Sequence, residues 1–131
     1  MEKISELGFW QRMAAERGLI ILFFSSAGCH SCRIWRGLLR EYEMTREDLR
    51  VWEVDAGIDM GLTQEFEVYH LPALFLFKDG RYLRPLQVEA RPQALHRLVE
   101  SVKDLPARSS REGFRRPGLA WSGPARAIAV F

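Results

Sequence analysis

An unbroken apolar run at residues 19–24 constrains the fold of this chain more than any other feature. Apolar and polar residues do not alternate along it, so a strand formed there must be covered on both faces. Such strands are typical of sheets that carry helices on either side. The run therefore predicts a central strand of an α/β fold.

Helical and strand patterns alternate around this run. The predicted helices cover residues 3–17, 30–42 and 58–68 and a segment that begins at Pro92, and the predicted strands cover residues 19–24, 50–55, 73–77 and 81–88. Asp79-Gly80 is a hairpin turn signal between the last two strands. The order α-β-α-β-α-β-β-α predicts a central mixed sheet of about four strands with helices on both faces.

The composition changes after residue 105. Residues 106–131 hold three prolines, three glycines and five arginines and have no periodic pattern. We predict one domain at residues 1–105, followed by an Arg/Gly/Pro-rich C-terminal tail at 106–131. Disorder is one interpretation of the tail; its apolar residues, Trp121 and residues 128–131, favour docking on the body or on a partner.

The charge distribution limits the partners. The whole chain has a formal net charge of +2, but residues 1–105 carry 14 basic and 16 acidic side chains, a net charge of −2. We therefore expect no nucleic-acid partner for the body. No apolar run is long enough to span a membrane, and the first eight residues lack the apolar core of a signal peptide. We expect a monomer in the cytoplasm, or in the periplasm if a leader was trimmed, and no membrane partner.

The only two cysteines form the motif Cys29-His30-Ser31-Cys32, a few residues after the central apolar run. A C-x-x-C motif between a strand and a helix is typical of a redox pair. Cys29 would lie at the helix N-terminus, which stabilises a thiolate, and Cys32 would lie one turn on, close enough to form a disulfide. The alternatives are two inert buried cysteines, or a metal site: zinc held with His30 or His70, or an iron–sulfur cluster shared by a dimer. Because His30 adjoins Cys29 and no second C-x-x-C motif exists, the metal site is the weaker interpretation.

Two segments carry a resemblance to the thioredoxin family, and the match covers roughly residues 4–104. Residues 24–33, Phe-Ser-Ser-Ala-Gly-Cys-His-Ser-Cys-Arg, resemble its active-site segment, and residues 68–80 resemble its cis-proline segment and hairpin. The resemblance implies a thioredoxin-like fold in which Cys29 is the attacking thiolate and Cys32 the resolving cysteine. It also implies that Pro72 is cis, faces the two sulfurs and presents the Leu71 backbone to an extended substrate segment.

Some positions depart from the family pattern. Phe23 stands six residues before the first cysteine, where the family has a buried acid. Gly28 replaces the tryptophan expected just before that cysteine, and Val88 replaces the glycine expected after the hairpin. Glu53, on the neighbouring predicted strand, is a candidate substitute for the acid. His30 either tunes the thiolate and contacts substrate or is a solvated helix-start residue.

These features together predict a thiol–disulfide oxidoreductase that acts on protein disulfides or dithiols through Cys29 and Cys32, with His30, Leu71 and Pro72 in contact with substrate. An external thiol reductant or oxidant would reset the pair, and no cofactor or metal is expected. The alternative is an interaction module that uses the Pro72 groove and the tail, with weak or regulatory redox chemistry.

Overall fold

The structure, a computed structural model, describes residues 1–107. Apart from its first two residues, the predicted tail lies outside the described residues, and so do Trp121 and residues 128–131. The helices and strands in chain order are β1 Glu2–Lys3, α1 Phe9–Ala14, β2 Leu19–Ser25, α2 His30–Thr45, β3 Leu49–Asp55, α3 Met60–Glu65, β4 Ala73–Lys78, β5 Arg81–Pro85 and α4 Pro92–Val102.

The strands form one mixed sheet in the order β1-β3-β2-β4-β5. Strand β2 pairs in parallel with β3, from Leu19 opposite Leu49 to Ser25 opposite Asp55. On its other side β2 pairs antiparallel with β4, and Phe24 lies opposite Ala73. All seven residues of β2 are buried. The predicted central strand and the α/β fold class are therefore confirmed.

Two hydrophobic clusters cover the two faces of the sheet. The first joins α1 and α3 to one face, and its largest buried side chains include Phe24, Trp52 and Phe66. The second joins α2 and α4 to the other face, and it includes Phe23, Cys32 and Leu95. Because successive side chains of a strand point to opposite faces, Phe23 and Phe24 belong to different clusters. Helices on both faces were predicted and are observed.

The sheet has five strands where about four were predicted. The additional strand β1 has only two residues, which pair in parallel with Trp52 and Glu53 of β3. The Ile4 N–H also donates to the Glu53 carbonyl oxygen at 2.9 Å. Because this part of the chain is tied to the sheet, the first helix begins at Phe9 and not at residue 3.

Other predicted bounds shift by a few residues. Helix α3 is six residues long, shorter than the predicted 58–68, and β5 ends at Pro85 instead of residue 88. Val88 is partly buried against the second cluster. Helix α2 continues to Thr45 as one helix of 16 residues through Gly37.

Candidate active site

Cys29 and Cys32 lie where β2 gives way to α2. The chain leaves β2 at Ser25 and turns at Gly28, which has a φ of 82°, a left-handed conformation that glycine adopts without strain. Cys29 then takes the N-cap position of α2, and its Sγ accepts a hydrogen bond from the Cys32 N–H at 3.2 Å. The cysteines are placed as the strand–helix pattern predicted.

The two cysteines form a disulfide, with their Cα atoms 5.2 Å apart. Cys32 is fully buried in the second cluster, whereas Cys29 is only partly buried against it. Thiol–disulfide exchange requires that the incoming sulfur reach one sulfur of the disulfide. Of the two cysteines, Cys29 is the one that leaves part of its surface open to another molecule.

The Leu71-Pro72 segment lies at the same end of the sheet. Strands β2 and β3 are parallel and β4 is antiparallel to β2, so the end of β2, the end of β3 and the start of β4 meet there. The peptide bond between Leu71 and Pro72 is cis. Leu71 is partly buried and packs against the second cluster, as Cys29 does. The fold thus brings both predicted segments to one end of the sheet.

The two histidines that the sequence singled out near the cysteines are both exposed. His30 is the first residue of α2, directly after Cys29. His70 lies in the loop before Leu71. Neither is buried with a sulfur, and within residues 1–107 no group of three His, Cys, Asp or Glu side chains is arranged to hold a metal ion.

A buried polar cluster stands beside the site. Glu53 is 2% exposed and lies opposite Phe23 across the β2–β3 pair. Its carboxylate accepts hydrogen bonds from the Ser25 hydroxyl at 2.6 Å and from the Arg36 guanidinium at 2.7 and 3.0 Å. Since Leu49 and Val51 of the same strand belong to the second cluster, Glu53 faces the side of the sheet that carries α2.

These contacts decide the charge of Glu53. Burial opposes ionisation, but the hydrogen bonds from Arg36 and Ser25 and the charge of Arg36 outweigh it and hold the pKa of Glu53 below its ordinary value. The group is therefore a carboxylate at neutral pH and carries no proton to give up. Glu53 lies next to Phe23, as a substitute for the expected acid should. Because it is ionised and ion-paired, however, it does not have the protonated form that a proton donor needs. The Glu53–Arg36 ion pair instead attaches the first turns of α2 to β3.

Three exposed apolar side chains lie at this end, two of them in loops and Met60 at the first residue of α3. Ile58 is 76% exposed and Met60 57% exposed, in the segment after β3, and Tyr69 is 68% exposed, before Leu71. We call Ile58, Met60 and Tyr69 the loop surface. The sequence did not predict that these residues are exposed, because apolar residues in this segment are equally compatible with the buried face of a helix. Their exposure follows from the shortness of α3 and from the positions of the loops.

Comparison with known proteins agrees with this geometry. A family model described as Thioredoxin matches residues 1–103. Mitochondrial thioredoxin 3 from Saccharomyces cerevisiae, in its oxidized form, superimposes with a TM-score of 0.66 at 22% identity, covering 80% of this chain and 95% of the yeast chain. Thioredoxin f2 from Chlamydomonas reinhardtii superimposes with a TM-score of 0.69 at 17% identity, covering 81% of this chain and 98% of the algal chain. At these identities the likeness concerns the fold.

One curated relative, Thioredoxin domain-containing protein 2 of Mus musculus, is 33% identical over 61 residues. The match covers 47% of this chain and only 12% of the mouse protein. The fold, the family match and the cysteine pair together support a thiol–disulfide redox function, that of an oxidoreductase in general. Since the Thioredoxin model matches well over half of the 131 residues, this chain belongs to the thioredoxin family.

Proposed function

We propose that this protein is a thiol–disulfide oxidoreductase that acts on protein disulfides. The single observation that carries the proposal is the unequal exposure of the pair: Cys29 is within reach at a helix N-terminus, and Cys32 is buried behind it. A partly exposed cysteine can attack or be attacked by another molecule, while its buried neighbour can act only on the bond already formed at Cys29.

The reaction in the reducing direction has two exchanges. The Cys29 thiolate attacks one sulfur of the substrate disulfide, which forms a mixed disulfide and releases the first substrate thiolate. The Cys32 thiolate then attacks Cys29 Sγ, which restores the Cys29–Cys32 disulfide and releases the second substrate thiolate. Two electrons pass from the protein to the substrate, and an external dithiol reduces the pair again. The same steps run backwards for an oxidant.

The surroundings of Cys29 favour its thiolate. The free N–H groups and the positive dipole end of α2 stabilise negative charge at the N-cap. The N–H of Cys32 already points at Cys29 Sγ, at 3.2 Å. Substrate recognition would fall to the loop surface, to the backbone at Leu71, which an extended segment can pair with, and to His30 at the rim.

A titration combined with a rate measurement tests the proposal. The thiolate absorbance of the reduced protein is followed against pH, and the reduction of a neutral peptide disulfide is followed for wild type and Cys29→Ser. We expect a thiol that ionises below about 8.5, the value of a free cysteine, and turnover that vanishes in Cys29→Ser. An ordinary thiol without turnover would overturn the proposal.

The competing function is that of an interaction module with weak or regulatory redox chemistry. One observation favours it: the position of the expected acid is the fully buried Phe23, and the nearby Glu53 is held as an ion-paired carboxylate. Slow turnover together with tight, redox-insensitive partner binding in Cys29→Ser would favour this function over the first.

A further inference from the structure

The outward face of α2 carries a stripe of exposed residues that begins next to Cys29. Its members are spaced three or four residues apart, so they line one face of the helix. They are His30, Arg33, Gly37, Arg40 and Met44, and all five are exposed. We call these five residues the α2 stripe. Nothing else in the described part of the chain covers it.

The charge of the α2 stripe is positive and not neutralised. Helix α2 has no acidic residue between His30 and Arg40. Within residues 1–107, Arg33 and Arg40 form no ion pair. The third arginine of this segment, Arg36, is different, because Glu53 takes up its charge at 2.7 Å. Two guanidinium groups without an ion pair in the described part of the chain therefore lie on α2, one in the turn next to Cys29 and one two turns further along the helix.

Folding does not require the residues found in the α2 stripe. Arg33 lies in the first turn of α2, which holds no acidic residue, although the helix dipole favours acids there and disfavours cations. Gly37 costs a helix about 0.5–1 kcal/mol relative to alanine. A Cβ at Gly37 would meet no atom within 4 Å, so packing does not demand a glycine. Met44 leaves 86% of its surface in water.

We infer that the α2 stripe binds an acidic surface on the protein whose disulfide reacts with Cys29. The inference rests on the proposed function and adds the substrate class: proteins with carboxylates close to the reactive disulfide. Guanidinium groups form charge-assisted hydrogen bonds with carboxylates. Gly37 lets a partner chain approach the helix backbone between the two arginines. With a rise of about 1.5 Å per residue, Arg33 and Arg40 lie about 6 and about 16 Å along the helix from Cys29.

The body as a whole argues for a protein and against a nucleic acid. Residues 1–105 have a net charge of −2, so the stripe is a local cationic feature on an acidic background. Nucleic-acid binding depends on several phosphate contacts made together. Two free arginines suit a small patch of carboxylates better than a polyphosphate backbone.

The test uses the full chain and three peptide disulfides that differ only in their flanking residues: Glu, Gln or Lys. The flanks are long enough to span about 16 Å. The second-order rate of reduction by the reduced protein is measured for each peptide, in wild type and in Arg33→Gln/Arg40→Gln. We expect the Glu peptide to react about tenfold faster than the Gln peptide at low salt. The ratio should fall toward one at about 0.15 M salt, and in the double variant at any salt.

The ratio of rates cancels any effect of the arginines on the Cys29 thiolate itself. Arg81→Gln is the matched control, because Arg81 is an exposed arginine at the opposite end of the sheet, where β4 turns into β5. This variant should keep the wild-type ratio. A wild-type ratio near one, an unchanged ratio in the double variant, or an equal fall in Arg81→Gln would overturn the inference.

A binding measurement keeps the two proposals apart. If wild type reduces none of the peptides, the proposed function fails, and the inference is tested on the oxidised protein by the fluorescence anisotropy of a cysteine-free Glu peptide. Weaker binding in the double variant supports the α2 stripe as a carboxylate site; equal binding overturns it. A single-stranded oligonucleotide that binds more tightly than the Glu peptide, and loses binding in the double variant, would also overturn it.

Discussion

Two surfaces adjoin the end of the sheet that carries the disulfide, and they differ in chemistry. The loop surface is apolar: Ile58 and Met60 follow the end of β3, and Tyr69 precedes the start of β4. The α2 stripe is cationic and lies on a helix. The free energy gained from apolar contacts depends on the area they bury and little on moderate ionic strength, whereas contacts between exposed charges weaken as ionic strength rises. A substrate can therefore be recognised in two ways, and ionic strength separates them.

Cys32→Ser should have the largest effect, because a substrate recognised by either surface reacts at Cys29 and is released by Cys32. In Cys32→Ser, Cys29 can still attack a substrate disulfide, but nothing resolves the product. We expect multiple turnover to fall to background while a mixed disulfide at Cys29 accumulates, which mass spectrometry of the intact protein detects. Glu and Gln peptides should both be trapped, the Glu peptide faster.

The matched control for that experiment is Cys29→Ser, which should trap neither peptide. If the variant with Cys29 replaced trapped peptide at Cys32, the assignment of the attacking sulfur would be wrong. Burial of Cys32, at 0% exposed, is the physical reason to expect no reaction there.

Glu53→Gln should weaken the attachment of the helix that carries the α2 stripe and leave the loop surface in place. The substitution removes a buried carboxylate and leaves Arg36, whose side chain is 24% exposed, without its charge partner. Breaking such a pair costs about 3 kcal/mol of unfolding free energy. Urea denaturation measures this cost. Glu2→Gln is the control, because its ion pair with Arg12 is about half exposed on both sides and should contribute less than about 0.5 kcal/mol.

The same variant has a defined pH dependence. The pKa of Glu53 is lowered in the folded protein, so the unfolded state takes up protons first as the pH falls. The stabilisation is fully present above the unfolded value, about 4.3, and is lost as the pH falls below it through the folded pKa. The difference in stability between wild type and Glu53→Gln should therefore be constant near neutral pH and shrink below about 4.3. A difference that grew on acidification would contradict the ion pair.

The sequence predicts those features that are written in local patterns. The apolar run at 19–24 and the run at 73–77 predict β2 and β4, because strands buried on both faces do not alternate. The C-x-x-C motif after the first run places the disulfide at the N-terminus of α2. All three features depend on residues close together in the chain.

What the sequence does not predict depends on pairing across the fold. Strand β1 consists of two exposed residues without a pattern, and it exists because β3 offers a free edge. The direction of Glu53 depends on the β2–β3 register, which sets it opposite Phe23 and within reach of Arg36. The three-and-four spacing of the α2 stripe is visible in the sequence, but its freedom from ion pairs is not.

Ile58→Ser/Met60→Ser should reduce recognition by the loop surface alone. Both side chains are more than half exposed, so folding should lose little. If each loses about 1 kcal/mol of apolar contact with a substrate, the two losses add to about 2 kcal/mol, and kcat/KM for the Gln peptide falls about thirtyfold. The fall should be the same at low and high salt, and the ratio of Glu to Gln rates should not change. Leu105→Ser, a partly exposed leucine beyond α4, is the control and should keep wild-type rates.

Gly37→Ala should produce the smallest change. It tests whether the glycine of the α2 stripe is needed for the stability of the helix or is free to serve contact with a partner. The added methyl group meets no atom within 4 Å, so alanine should stabilise the helix by about 0.5–1 kcal/mol. Gly18→Ala is the opposite control: its φ is 81° and a Cβ there would lie 2.9 Å from the Asp48 carbonyl oxygen, so stability should fall. Thermal unfolding compares the two variants. A loss of stability in Gly37→Ala would mean that the helix needs its glycine, and the α2 stripe would then rest on its two free arginines alone.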